Sequence, residues 1–177
     1  VGLRPKSYTI KVKDGNTYTQ VEGGSSATGD ILYLKLTDKR YYIKKATKTY
    51  SLAPKLKSTP SEESSVTVTP TSETVKILNY TCIKYVVTFS ETDKTKSMFI
   101  WATKDLKQYN SNSFQTSGLG NQSNTAALKK IDGVPLKIEM TEQGQSVVME
   151  VIELKNAILP ANDFVLPLDY KEVPFGQ

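Results

Sequence analysis

The chain reads as a succession of short alternating runs. In "KSYTIKVK", Tyr8, Ile10 and Val12 fall on one face, and Ser7, Thr9, Lys11 and Lys13 on the other. That period of two is the signature of a half-buried strand. "DGN" at 14–16 signals a hairpin turn, since Gly15 and Asn16 tolerate positive φ, and "NTYTQVE" returns. After the loop "GGSSATGD", "ILYLKL" is apolar on both faces and predicts a central strand. "YYIKK" and "KTYSLAP" complete a meander.

The stretch 54–72, "PKLKSTPSEESSVTVTPTS", breaks this pattern with Pro, Ser, Thr and charge. It predicts a connection between two meanders of one sheet in a single domain spanning 1–177, with "VTV" as a weak edge strand. "ETVKILN" and "TCIKYVVTF" follow. On the second, Ile83, Tyr85, Val87 and Phe89 share a face, and Tyr80, Cys82, Lys84, Val86 and Thr88 the other. "SMFIWAT" is apolar on both faces. A hairpin symmetric about Asp93 would set Phe99 opposite Val87 and Trp101 opposite Tyr85.

Residues 103–131 leave the β pattern. "TKDLKQY" predicts a helix capped by Thr103, and "NTAALKKI" another capped by Asn124 or Thr125 and ended by "DG". "VPLKIEM", "TEQG" and "QSVVMEVIEL" predict a hairpin with Pro135 near a strand start or edge. "DFVLPLDYKEVP" predicts an extended tail. The sum is a mainly β (α+β) chain: a curved antiparallel sheet or incomplete barrel, with short helices on its concave face.

Composition narrows the chemistry. The 177 residues contain no histidine and one cysteine, Cys82, which excludes a Ser-His-Asp triad, a Cys-His dyad, a histidine metal site and an internal disulfide. No catalytic residue, metal or cofactor is indicated. Net charge is +5, but of 23 basic residues only Arg4 and Arg40 are arginine, leaving 21 lysines spread along the chain. Scattered lysine suits the outer face of a sheet more than nucleic-acid recognition. Val1 is not a natural start, so a removed export segment is expected upstream.

The candidate sites are few. Cys82 beside Lys84 could be an activated thiolate, but without histidine a small sheet residue is the expected role. Glu139 and Glu153 could face each other across the "TEQG" hairpin as a carboxylate pair, or simply lie on a charged outer face. The aspartates, Asp30 among them, fall mostly in turns. "GLGNQS" lacks the strand and helix of a phosphate loop. Trp101, Phe99, Tyr85, Phe89 and Phe164 are either core or the lining of an apolar cavity.

"ETVKILNYTCIKYVVTF" resembles a Gly-Tyr-x-Cys-x-Lys-Tyr signature, with Asn79 in place of the glycine. Together with "DILYLKLTDKRYYIKKATKTYSLAP", "SMFIWATKDL", "LKKIDGVPLKIEM" and "DFVLPLDYKEVP", it is similar, over about 16–174, to an uncharacterised domain-of-unknown-function family of exported bacterial envelope proteins. That family looks related to the LolA-like superfamily of lipoprotein carriers. The resemblance implies an incomplete β-barrel with a helical lid, a periplasmic or outer-membrane setting, and no assigned role for Cys82. No residue matches the carriers' functional arginine.

The resulting expectation is non-enzymatic binding of a lipid, acyl chain or lipidated peptide by Ile83, Tyr85, Val87, Phe89, Phe99, Trp101 and Phe164, with 103–131 as lid. The chain would be a monomer, membrane-associated through its upstream segment if at all. The alternative expectation is an envelope protein–protein interaction module with a packed core.

Overall fold

The computed structural model describes residues 5–23, 29–55, 66–89, 97–106, 109, 122–142 and 144–176. The chain is mainly β and forms two compact units. One comprises Val1–Leu56, Thr116–Leu119 and Ala157–Gln177; the other comprises Lys57–Gln115 and Gly120–Asn156. Each holds its own sheet, so the expected single curved sheet is two sheets, and neither closes into a barrel.

The first unit is an antiparallel meander of β1 (Pro5–Lys13), β2 (Asn16–Gly23), β3 (Asp30–Leu34), β4 (Lys39–Lys44) and β5 (Thr49–Leu52). Lys13 pairs with Asn16 across a two-residue turn in which Asp14 (φ 52°) and Gly15 (φ 80°) are both left-handed. That geometry matches the right-handed twist of the strands. On one face Leu32, Tyr41 and Ile43 form a buried core, flanked by Tyr18, Leu34 and Tyr50. The tail covers this face. A 3-10 turn at Ala161–Phe164 buries Phe164, and Leu166 and Tyr170 pack onto the core. The tail is therefore not simply extended.

The second unit orders its strands β10-β9-β8-β7-β6, with β6 (Val66–Ile77), β7 (Tyr80–Phe89), β8 (Ser97–Thr103), β9 (Val134–Glu142) and β10 (Gln145–Glu150). β6 joins "VTVT" to "ETVKI" in one edge strand, although 54–72 reads as a connection; 56–65 lie outside the described residues. Its register breaks between Pro70 and Thr74, which places the proline at an edge irregularity where a missing donor costs least.

Among the described residues one two-turn helix, α1 (Gln122–Lys129), packs on this sheet; the helix expected in "TKDLKQY" is not formed at 103–106 or 109, and 107–108 lie outside the described residues. α1 starts before the expected caps at Asn124 and Thr125. Ala126 and Ala127 are fully buried, and their small side chains let the helix backbone lie close to Tyr85, Val87 and Ile100. Tyr85 Oη donates to the carbonyl of Asp132 just beyond the helix at 3.1 Å. Thr103 does not cap a helix: it ends β8, and its Oγ1 accepts from the Asp105 amide at 3.3 Å. The lid expected over 103–131 lies outside the described residues at 107–108 and 110–121.

Candidate functional site

The register of the central hairpin decides which aromatics can share a site. β7 and β8 pair as Val87↔Met98, Tyr85↔Ile100 and Ile83↔Ala102, one residue away from the expected pairing. A slip of one residue turns every side chain over. Phe99 and Trp101 therefore lie opposite Val86 and Lys84, away from Ile83, Tyr85, Val87 and Phe89. The observed register aligns apolar rows across three strands, Tyr85–Ile100–Ile138 and Val87–Met98–Met140. These rows suit the close approach of the alanines of α1, whereas two broad rings would hold the helix off. "SMFIWAT" has apolar residues on both faces, so burial alone could not choose between the registers.

The proposed ligand residues thus fall into three places. Ile83, Tyr85, Val87 and Phe89 pack in the core with α1. Phe99 and Trp101 flank Lys84, whose Nζ lies 4.7 Å and 5.4 Å from their ring centroids. Lys84 also donates to both carboxylate oxygens of Glu73, at 3.0 and 3.2 Å. Phe164 is buried in the other unit, as part of the tail's 3-10 turn.

Cys82 is fully buried in a second core of this unit with Ile77, Leu106, Val134 and Leu136. Burial pushes its thiol above the ordinary value, against a smaller lowering from a backbone bond to Ile77. A thiol so held is a poor nucleophile. The glutamates do not form a carboxylate pair either. β9 sets Glu139 opposite Val148, Lys137 lies 2.8 Å from Glu139 and 3.7 Å from Glu150, and Glu153 pairs with Lys155 at 2.8 Å. Among the described residues no group of three His, Cys, Asp or Glu side chains could hold a metal.

Two clefts remain. The first borders the second core. It is an open cleft of about 290 Å³ lined by Leu78, Asn79, Tyr80, Ile152, Glu153 and Leu154. Leu78 (φ 50°) and Asn79 (φ 69°) form the β6–β7 turn, both left-handed. Asn tolerates that conformation, which explains why it can stand where the signature has glycine; leucine pays ~1–2 kcal/mol for it. Leu78, Tyr80, Leu154 and Trp101 all pack against the core of Cys82 and Leu136. Trp101 Nε1–H is buried and has no acceptor among the described residues, while Ile152 is 83% exposed. Sequence pattern missed this cleft, because it reads "QSVVMEVIEL" as one strand, whereas β10 ends at Glu150 and leaves Ile152–Leu154 outside the sheet.

The second cleft, about 230 Å³, belongs to the first unit and lies against Lys11, Tyr18, Gln20, Ile43, Lys45, Asp163, Val165 and Pro167. Beside it Asp30, read from sequence as a turn residue, is buried at the start of β3. Its carboxylate accepts from Tyr18 Oη at 2.7 Å and the Val21 amide at 3.2 Å, and pairs with Lys45 at 2.6 Å. Burial first, then the bond to Asp30, raises the Tyr18 phenol far above its ordinary value. Gly29 must precede Asp30: its φ is 70°, and a Cβ there would lie 2.2 Å from the Ile43 carbonyl oxygen.

The family model for a domain of unknown function (DUF4412) matches residues 6–170. The chain belongs to the DUF4412 family. No curated protein and no solved structure matches it. The DUF4412 match takes in every strand from β2 to β10, both clefts and most of the tail. Among the described residues no helix is long and apolar enough to cross a membrane.

Proposed function

We propose that this DUF4412 chain is a non-enzymatic binding protein of the bacterial envelope whose ligand is an acyl chain, free or carried by a lipid or lipidated peptide. The observation that carries this reading is the cleft of Leu78, Tyr80, Ile152 and Leu154 against the core shared with Trp101. Ile152 leaves apolar surface in water that a ligand chain would cover, and burial stabilises by roughly 25 cal/mol per Å². The strained Leu78 is the kind of backbone outlier that persists where a site needs it. Trp101 packs on the same core as Leu78, Tyr80 and Leu154, so its emission would report on the cleft. The envelope setting and a LolA-like relationship rest on the order of the motifs between "DILYLKL" and "DFVLPLDYKEVP".

The test is a titration of dodecanoic acid into the protein, followed by Trp101 emission. A saturable shift that Ile152→Asp abolishes supports the reading. A folded protein whose emission ignores the acid and which carries no lipid in native mass spectrometry refutes it. The packing of Tyr85, Val87 and Ile100 under α1 favours a second reading, an envelope interaction module with a filled core, and that negative result would leave it standing.

A further inference from the structure

Among the described residues four strands lie at sheet edges, and three of them are guarded. β1 carries Pro5 with a register break beside it. Its Lys11 and Lys13 fasten the tail, Lys11 Nζ donating to Asp163 and Lys13 Nζ to the Leu159 carbonyl, each at 2.8 Å. β11 (Lys171–Glu172), parallel to β5, is two residues long and both are charged. β6 has Pro70 and its own register break. Proline, bulges, charge and brevity keep an open edge from recruiting another strand. β10 has none of these guards. "QSVVME" holds no proline and no lysine, its single charge stands at its end, and its register with β9 is unbroken.

One bond tells which way the backbone groups of β10 point. The Val151 amide donates to the Leu136 carbonyl at 2.8 Å, in register with the β9–β10 ladder. Bonded pairs alternate along an antiparallel ladder, so Gln145, Val147 and Met149 turn their amides and carbonyls toward β9. Ser146, Val148 and Glu150 turn theirs outward. All three are exposed, Val148 by 55%.

We propose that β10 pairs antiparallel with β10 of a second copy of this chain, about a two-fold axis at Val148. An axis normal to the sheet keeps every side chain on its own face, so only residues an even number apart can meet. Centring at Val148 sets Val148 against its own image, Ser146 against the partner's Glu150 and Val147 against the partner's Met149. Ser146, Val148 and Glu150 then stand at bonded positions and supply the new ladder. No like charges face each other. The Ser146 hydroxyl is a donor opposite a carboxylate, and Glu150 already has Lys137 of its own chain at 3.7 Å. On the face that carries α1, Met149 extends the row Tyr85–Ile100–Ile138, and Val147 extends the row Val87–Met98–Met140. The axis joins the first row of one copy to the second row of the other, so apolar contact runs through the junction. A centre at Val147 would set Met149 against Gln145, and one at Met149 would set Val148 against Glu150; each breaks an apolar contact with a polar side chain. A contact one strand wide falls short of the ~800 Å² per partner of a standard interface, so the pairing depends on concentration. The paired residues end before Ile152, where the wall of the acyl cleft begins, and the pairing does not rest on acyl binding.

The experiment is sedimentation velocity of the whole chain over a wide concentration series, with residue-resolved amide exchange at its two ends. The sedimentation coefficient should rise toward that of a dimer. The amides of Ser146, Val148 and Glu150 should exchange more slowly at high concentration, and those of Val147 and Met149 should be protected throughout. Val148→Lys and Val148→Glu each place like charges on the axis and should each weaken pairing by at least about tenfold. An equimolar mixture of the two should pair again, which a fold defect in either variant would not allow. A wild-type chain that stays monomeric at every concentration would overturn the proposal. So would a dimer whose Ser146, Val148 and Glu150 amides exchange as freely as in the monomer, since its contact lies elsewhere. A mixture that pairs no better than either variant alone would overturn the axis at Val148.

Discussion

Lys84 stands directly across from Trp101 in the β7–β8 ladder, its ammonium 5.4 Å from the indole centroid and its carbonyl-side neighbours in the core. Its side chain is only 18% exposed: its ammonium lies near both the Phe99 and Trp101 rings and meets Glu73. Lys84→Ala should cost ~1 kcal/mol, the sum of a partly exposed cation–π contact and a weak ion pair. Chemical denaturation measures the cost, and Trp101 emission in the folded state should change with it. Unchanged emission would mean the ammonium does not sit over the ring.

Leu78→Gly relieves ~1–2 kcal/mol of left-handed strain but loses the packing of Leu78 on the core and adds unfolded-chain entropy, so stability should change by less than ~1 kcal/mol. The same change removes a wall of the cleft. Near-constant stability with acyl affinity down is the expected pair of results, read by denaturant midpoint and by fluorescence titration. A variant that binds equally well would separate Leu78 from the site.

Cys82→Ala should lower stability by ~1 kcal/mol and leave ligand binding intact, since the thiol fills a core position and is held protonated by burial. In the native protein a thiol reagent should react with Cys82 only as fast as the core opens. Prompt modification at neutral pH would contradict that burial.

The tyrosines should ionise in separate waves. Tyr18 has its phenol raised by burial and by the bond to Asp30, and Tyr8, Tyr33 and Tyr85 are raised too, each chiefly by burial. A phenol raised on folding stabilises fully below its unfolded value, near ~10, and that contribution is lost as pH rises toward the folded value. Stability should therefore fall above about pH 10, with Tyr18 ionising last in absorbance at 295 nm. Asp30→Asn should bring that last wave down.

The tail pair Lys48–Asp169 should respond at both ends of the pH scale. The bond from Lys48 lowers the Asp169 carboxyl, so its contribution is present above the ordinary carboxylate value, ~4, and is lost as pH falls through the lower folded value. The bond to Asp169 raises Lys48, whose contribution is present below ~10.5 and lost as pH rises through the raised value. The Lys171 amide, bonded to the Lys48 carbonyl at 3.0 Å, is the reporter. Corrected for intrinsic exchange, its protection should be flat across neutral pH and drop on acidification, and Asp169→Asn should remove the acid limb.

Strand existence was written in the sequence because a period of two leaves no other way to bury Tyr41 with Ile43 or Tyr85 with Val87. The turn at Asp14-Gly15 followed from chain chemistry as well; the one at Leu78-Asn79 did not, because nothing in the sequence required leucine to accept positive φ. Composition determined that no histidine chemistry exists here. Other features came only from the tertiary structure. "SMFIWAT" could present either face, and the choice of Met98 and Ile100 for the core was made by what packs on both sides of the strand, Tyr85, Ile138 and the alanines of α1. Lys11 and Lys13 have the alternation of solvated lysines and became fasteners because a segment some 150 residues away lies over them, a pairing no local pattern encodes. Asp30 looked like a turn aspartate until Tyr18, Val21 and Lys45 converged on it, which made a buried carboxylate affordable by hydrogen bonding it fully. Local periodicity sets which face a residue takes. Which face is buried, and against what, depends on contacts between residues far apart in the chain.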